Sequence, residues 1–152
     1  MYKVSLAIPI YNVSLFVERA LLSVLNQTYD NIEYLIVDDK GQDDSMDIVH
    51  RIIKDHPRGK DVRIIEHPYN IGLGATRNTA IDNAQGEYLF FMDSDDEIIP
   101  TCIEILVHKM QEHPVDFIAA SHMKKDLSGK TYPTYTYSPI LIQGDDLPVA
   151  QY

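Results

Sequence analysis

Short β-branched runs alternate with longer segments of helical periodicity along most of this chain, and that alternation admits few folds. Val4–Ile10, Ile32–Val37, Val62–Glu66, Glu87–Met92 and Val115–Ala120 each read as a buried strand. Four helical stretches lie between and after them. Val17, Leu21, Val24 and Leu25 recur at helical spacing behind Ser14, a residue suited to cap that helix. Ile48, Val49, Ile52 and Ile53 follow the acidic start Asp43, Asp44 and Ser45. Gly72 to Ala84 reads as a third helix closed by Gly86, and Ile103, Leu106, Val107 and Met110 make a fourth after Pro100. Strands alternating with helices predict an α/β fold, a mostly parallel sheet with helices on both faces. Ligands of such sheets bind beyond the carboxyl ends of the strands. The informative residues are therefore Pro9, Tyr11 and Asn12, then Asp38 and Asp39, then His67 to Asn70, then Asp93 to Asp95.

The pattern fades after Met123, so the expected division is 1–123 as one α/β domain and 124–152 as the start of a further region, cut inside a larger protein. Lys124 to Lys130 reads as a polar turn, Tyr132, Tyr135 and Tyr137 as a solvent-facing edge strand, and Gly144 to Pro148 as a loop leading into another element. A chain of 152 residues with 45% hydrophobic side chains is long enough to bury a real core. No apolar run reaches the roughly 18 residues of a transmembrane helix. With no signal-peptide pattern and a single cysteine, Cys102, set among apolar residues, the cytoplasm is the expected location.

A net charge of −10 disfavours nucleic acid and anionic membranes as partners. An acidic chain that binds a phosphorylated ligand needs another source of positive charge, and a divalent cation supplies it. Asp93, Ser94 and Asp95 place two carboxylates on a turn after an apolar strand. A hard cation held by one or two carboxylates keeps sites open for diphosphate oxygens. The bland alternative, Asp93 as a helix cap and Asp95 merely solvated, fits that turn equally well. A calcium EF-hand is excluded because Ile98 stands where its glycine belongs. Gly72-Leu73-Gly74-Ala75-Thr76-Arg77 starts like a dinucleotide fingerprint but ends in Arg77 and follows the third strand, and no Gly-Lys-Ser/Thr phosphate loop exists.

Taken in order, Val4 to Asn12, Leu22 to Thr28, Ile36 to Asp39, Asn70-Ile71-Gly72 with Ala75 to Asn78, and Gly86-Glu87-Tyr88 leading to Asp93 to Asp96 resemble the inverting family 2 glycosyltransferases of GT-A fold. The similarity covers roughly the first 120 residues. It implies a nucleotide-sugar donor of uridine type, bound by Pro9, Tyr11, Asp39, Asn70, Gly72, Arg77, Asp93 and Ser94, with Mg²⁺ or Mn²⁺ on Asp95 and Asp93. Asp39 would accept a bond from the base N–H, an interaction of about 1.5–3 kcal/mol. Tyr11 would pack on the base or ribose. Arg77 would meet a phosphate or hold the carboxylates. The acceptor would be a saccharide or lipid-linked saccharide.

The resemblance also implies inverting transfer, in which a carboxylate base deprotonates the acceptor hydroxyl. That base is expected beyond the matched segments; Asp145 and Asp146 are formal candidates without a supporting pattern. One departure is Lys40-Gly41-Gln42, where the family usually continues with Gly-Ser; Lys40 there either points into solvent, the favoured reading, or reaches the donor. Two rivals remain at this level. One is a catalytically silent nucleotide-sugar-binding module. The other is a phosphoacceptor signalling domain, disfavoured because its acidic pair would follow the first strand.

Overall fold

The computed structural model describes residues 1–113, 115–126 and 128–135. Tyr137, Asp145, Asp146 and the stretch from Gly144 to Pro148 lie outside the described residues. The chain divides into two compact units, Met1–Glu112 and His113–Tyr152, whereas the sequence pattern placed the division after Met123.

The first unit contains strands β1 (Val4–Ile10), β2 (Ile32–Asp38), β3 (Val62–Glu66) and β4 (Tyr88–Phe91). Its helices are α1 (Val17–Leu25), α2 (Ser45–Asp55), α3 (Leu73–Asn83) and α4 (Cys102–Glu112). The strands are all parallel, in the order β3-β2-β1-β4. The chain winds outward from β1 to β3, then returns past β1 to lay down β4. Winding therefore reverses between β1 and β4, and their carboxyl ends flank the crevice where α/β sheets bind ligands.

Alternation along the strands builds the two layers. Leu6, Ile8 and Ile10 of β1 and Tyr34 and Ile36 of β2 pack in one cluster with Val17, Leu21, Val24, Val49, Ile52, Ile103 and Val107 from α1, α2 and α4. Ala7, Leu35 and Val37 point the other way and meet Ala80 of α3. Each fully buried Leu or Ile contributes about 1.5–3 kcal/mol, so the first cluster holds most of the apolar stabilisation. Helix α3 buries only Thr76 and Ala80. Small side chains at Ala80 and at Ala7 beneath it allow the close packing of this thin second layer.

Pro9 sets the length of the β1–β4 ladder. The Met92 amide donates to the Ala7 carbonyl at 3.0 Å. The next rung on that side would be donated by residue 9, and proline has no N–H. Pairing stops there, and the chain after Met92 is free to turn.

Three local expectations are corrected. Ser14 does not cap α1, which begins at Val17 with no side-chain cap bond. Ser14 instead gives its amide to Asp43 Oδ2 at 2.8 Å, while the Val13 amide donates to Ser45 Oγ at 2.8 Å, so the loop after β1 is sewn to the start of α2. Gly86 does not close α3, which ends at Asn83 with Ala84 as its cap. Its role is close approach: a Cβ there would lie 2.6 Å from the Ser5 amide nitrogen and 2.7 Å from the Lys3 carbonyl oxygen. Val115–Ala120 forms no strand. A charge interrupts that run at Asp116, and none of its side chains is fully buried; Phe117 is 76% exposed.

Gln27 joins the end of α1 to the segment that follows β4. Only 2% exposed, it donates from Nε2 to the carbonyls of Ser23 (3.0 Å) and Ile99 (2.8 Å) and accepts the Ile103 amide at 3.0 Å. The Thr28 amide adds a bond to the Pro100 carbonyl at 2.8 Å.

In the second unit, β5 (His122–Lys125) and β6 (Thr131–Tyr135) pair antiparallel, with an irregularity between His122 and Met123. Asp126 organises the turn by accepting the amides of Ser128 and Lys130 at 2.9 and 3.0 Å. Among the described residues no helix is long and apolar enough to cross a membrane.

Candidate functional site

A parallel sheet puts all four carboxyl ends on one edge, with neighbouring strands about 4.8 Å apart. The ends of β2 and β4 flank that of β1, so about 10 Å separates them.

At the end of β2 the acidic pair is split by the same alternation that builds the core. Ile36 faces α1 and α2, Val37 faces α3, and the next two residues continue the pattern. Asp39, 2% exposed, turns to the α3 side and is fully engaged by the protein. Its Oδ1 accepts from His67 Nδ1 at 2.8 Å and the Ile71 amide at 2.9 Å. Its Oδ2 accepts from Asn70 Nδ2 at 2.8 Å and the Gly72 amide at 2.9 Å. Burial alone would raise its pKa, but the bonds from Ile71, His67 and Gly72 prevail and hold the carboxylate below its usual range. Gly72 starts α3 with φ of 87°, a conformation that glycine alone adopts without strain. His67, 7% exposed, joins Asp39 to Thr79 Oγ1 at 2.9 Å. Asp39, Asn70 and Gly72 thus come together as a bolt that fixes the loop between β3 and α3.

Asp38 turns the opposite way. It lines a cavity of about 180 Å³ with Ile10, Asn12, Lys40, Gly41, Asp43, Ser45 and Met46. Its Oδ1 accepts the Lys40 amide at 2.9 Å. Asn12 and Lys40 flank this cavity with φ of 52° and 60°. Asparagine tolerates that region, and its Oδ1 accepts the Gln42 amide at 2.8 Å. For lysine the left-handed conformation costs about 1–2 kcal/mol. Asp43 braces the floor: burial raises its pKa, but bonds from Ser45 and Ser14 overcome that and bring it to about 2. The sequence placed Asp38 at an informative strand end but gave the base contact to Asp39, and it favoured solvent for Lys40. Period-two alternation from Ile36 already carried the signal for Asp38.

Beyond β4, the Asp96 amide bonds the Asp93 carbonyl at 3.1 Å and closes a turn. Within it Ser94 is buried at 7% exposure, while Asp93 and Asp95 face outward. Arg77 Nη2 of α3 meets Asp93 Oδ1 at 2.7 Å, and the two side chains are 39% and 49% exposed. Arg77 Nε is enclosed without an acceptor among the described residues. Tyr11, just past β1, is 47% exposed. Among the described residues no three His, Cys, Asp or Glu side chains converge as a metal cage. Two outward carboxylates on one turn still fit Mg²⁺ or Mn²⁺, which need only one or two protein oxygens when phosphate supplies others.

The residues that make this edge also fit a known family pattern. The model of glycosyl transferase family 2 matches residues 5–146. The chain belongs to that family. It is 32% identical over 151 residues to an uncharacterized glycosyltransferase of Haemophilus influenzae, covering 96% of this chain and 59% of that protein. It is 37% identical over 129 residues to the Escherichia coli UDP-Glc:alpha-D-GlcNAc-diphosphoundecaprenol beta-1,3-glucosyltransferase WfaP, covering 83% of this chain and 49% of WfaP. Staphylococcus aureus TarS 1–349, solved in complex with UDP-GlcNAc, superposes with a TM-score of 0.68 at 26% identity, over 86% of this chain and 37% of TarS 1–349. The family 2 chain thus has the GT-A fold expected from its motifs, and it spans less than two thirds of the length of each of these relatives.

Proposed function

We propose that this family 2 chain binds a UDP-sugar and presents it for transfer, with inversion, to a hydroxyl of a saccharide or lipid-linked saccharide. The observation that carries this reading is the edge itself: a base-sized cavity with a carboxylate at the end of β2, and two outward carboxylates at the end of β4, two strands away. That spacing, about 10 Å, suits a nucleoside diphosphate lying across the end of β1 with its base by Asp38 and its diphosphate by Asp93 and Asp95. WfaP is named for a UDP-sugar donor and a lipid-linked acceptor, and TarS was solved with UDP-GlcNAc, which supports the same chemistry here.

Each residue then has a task. Tyr11 offers an exposed ring to the base or ribose. Asp93 and Asp95 would hold Mg²⁺ or Mn²⁺, and a bound cation would supply Lewis-acid neutralisation of the leaving diphosphate. Arg77 orients Asp93 through Nη2, and its half-exposed guanidinium lies where a phosphate would need a cation. Asp39, Asn70 and Gly72 act through the backbone they fix rather than by touching the base. The carboxylate base for the acceptor hydroxyl is not assigned to any described residue.

Thermal shift of the intact chain with UDP and Mn²⁺ tests the proposal. Melting should rise only when both are present, by the equivalent of about 2.7 kcal/mol at a hundredfold excess over Kd. Asp95→Asn should abolish the rise while melting normally alone, because Asp95 is exposed. No shift with any nucleotide and either metal would refute the donor site.

A further inference from the structure

We propose that Lys40 is the residue by which this chain selects a uracil-type base, an inference that rests on the donor-site reading above and specifies its chemistry. The cavity at the ends of β1 and β2 has apolar walls at Ile10 and Met46 and an acceptor at Asp38, and Lys40 belongs to its lining while its ammonium rests on Glu66 of β3. Lys40 is the one cationic residue among the described residues that line it. At about 180 Å³ the space is smaller than the roughly 300–1,000 Å³ of pockets that enclose a whole small-molecule ligand, and it suits one flat ring.

Two observations say that Lys40 is not there for the fold. Its backbone sits at φ 60°, where a glycine would be unstrained and would still donate its amide to Asp38. Strain of this kind persists where function uses it. Among the described residues its ammonium meets an exposed partner, Glu66 Oε2 at 3.5 Å, with side chains 48% and 57% exposed, and such a pair contributes little. The head group is therefore free to move to a ligand.

The remaining lone pairs of Asp38 and the donor of Lys40 define a pattern. A ring that fits must show an N–H to the carboxylate and a carbonyl oxygen to the ammonium, side by side. The imide edge of uracil does so. Cytosine presents a bare ring nitrogen where the N–H is needed, and its lone pair would face the Asp38 carboxylate. A mismatch of that kind leaves a buried polar group unpaired, which is how sites of this type discriminate.

Calorimetry on the intact chain with Mn²⁺, using UDP and CDP as the two probes, tests this with Lys40→Gly and Lys40→Met. The unaltered chain should bind UDP at least about tenfold more tightly than CDP. Both variants should lose about tenfold in UDP affinity, the effect of one charge-assisted hydrogen bond, with CDP affinity unchanged. Lys40→Gly should also melt a few degrees higher, showing that its loss of binding is not unfolding. A UDP-to-CDP ratio unchanged in both variants would overturn the role of Lys40 and leave the donor site standing. Lys40→Met retaining full selectivity would also overturn it, because bulk rather than charge would then do the work. Failure of the unaltered chain to bind UDP would instead bring down the donor-site reading, and this inference with it.

Discussion

Asp39→Asn is nearly isosteric, yet it should be among the most damaging single changes in the first unit. Each carboxylate oxygen accepts two bonds, one from a side chain and one from a backbone amide. Whichever way the new amide is turned, its NH₂ faces two donors. The side-chain donor can adapt, His67 by shifting its ring proton or Asn70 by flipping. The backbone amide of Ile71 or Gly72 cannot. One buried N–H is stranded, at about 1–3 kcal/mol, and the surviving bonds lose their charge assistance. The total is about 2–4 kcal/mol, or roughly 10 °C in Tm for a unit of this size. Urea denaturation gives the first figure and calorimetry the second. Hydrogen exchange at Ile71 and Gly72 localises the effect, because these amides should exchange faster in the variant at equal denaturant. If Asp39 served only to read a base, stability and exchange would be unchanged and UDP affinity alone would fall. That result would refute the bolt.

Acid should weaken the same region. Asp39 and Asp43 both titrate lower in the folded chain than the usual carboxylate, Asp43 at about 2. Their contribution is therefore complete above the unfolded value of about 4 and disappears as pH falls through the folded values. Urea midpoints should be level above about pH 5 and decline from about pH 4 towards 2, with a shallower decline in Asp39→Asn. Gln27→Leu should cost about 2–4 kcal/mol by stranding the Ile103 amide and the Ser23 and Ile99 carbonyls. It should also weaken UDP binding in Mn²⁺ without touching a ligand, because Gln27 fastens the segment after the Asp93 turn; an unchanged urea midpoint would count against this.

Much of the edge was legible because strand and helix periods are strong signals. The runs at Val4–Ile10 and Ile32–Val37 are apolar except at Ser5 and Glu33, and such runs belong in the middle of a parallel sheet. The acids after the second and fourth strands could only lie at carboxyl ends. The misreadings trace to weaker physics. Ser14 has the chemistry of a cap, but the Asp43 carboxylate takes its amide instead. Val115–Ala120 has strand-like residues without the burial that strands need. For the acidic pair, motif resemblance does not report which face a side chain takes. Counting by two from Ile36 assigns Asp38 to the α2 side and Asp39 to α3. Nothing in a lysine announces the positive φ at Lys40, whose one trace is the glycine usual at that position in the family it resembles.

Pro9 has a further consequence for how this edge behaves. Two parallel strands with free amides and carbonyls at their ends tend to zip further, and each added rung would draw the Asp93 turn closer to Tyr11. A ring nitrogen at residue 9 is a stop in that zipper. The mouth between the two strands is held open by covalent structure rather than by any contact that a ligand or a neighbouring side chain might compete away.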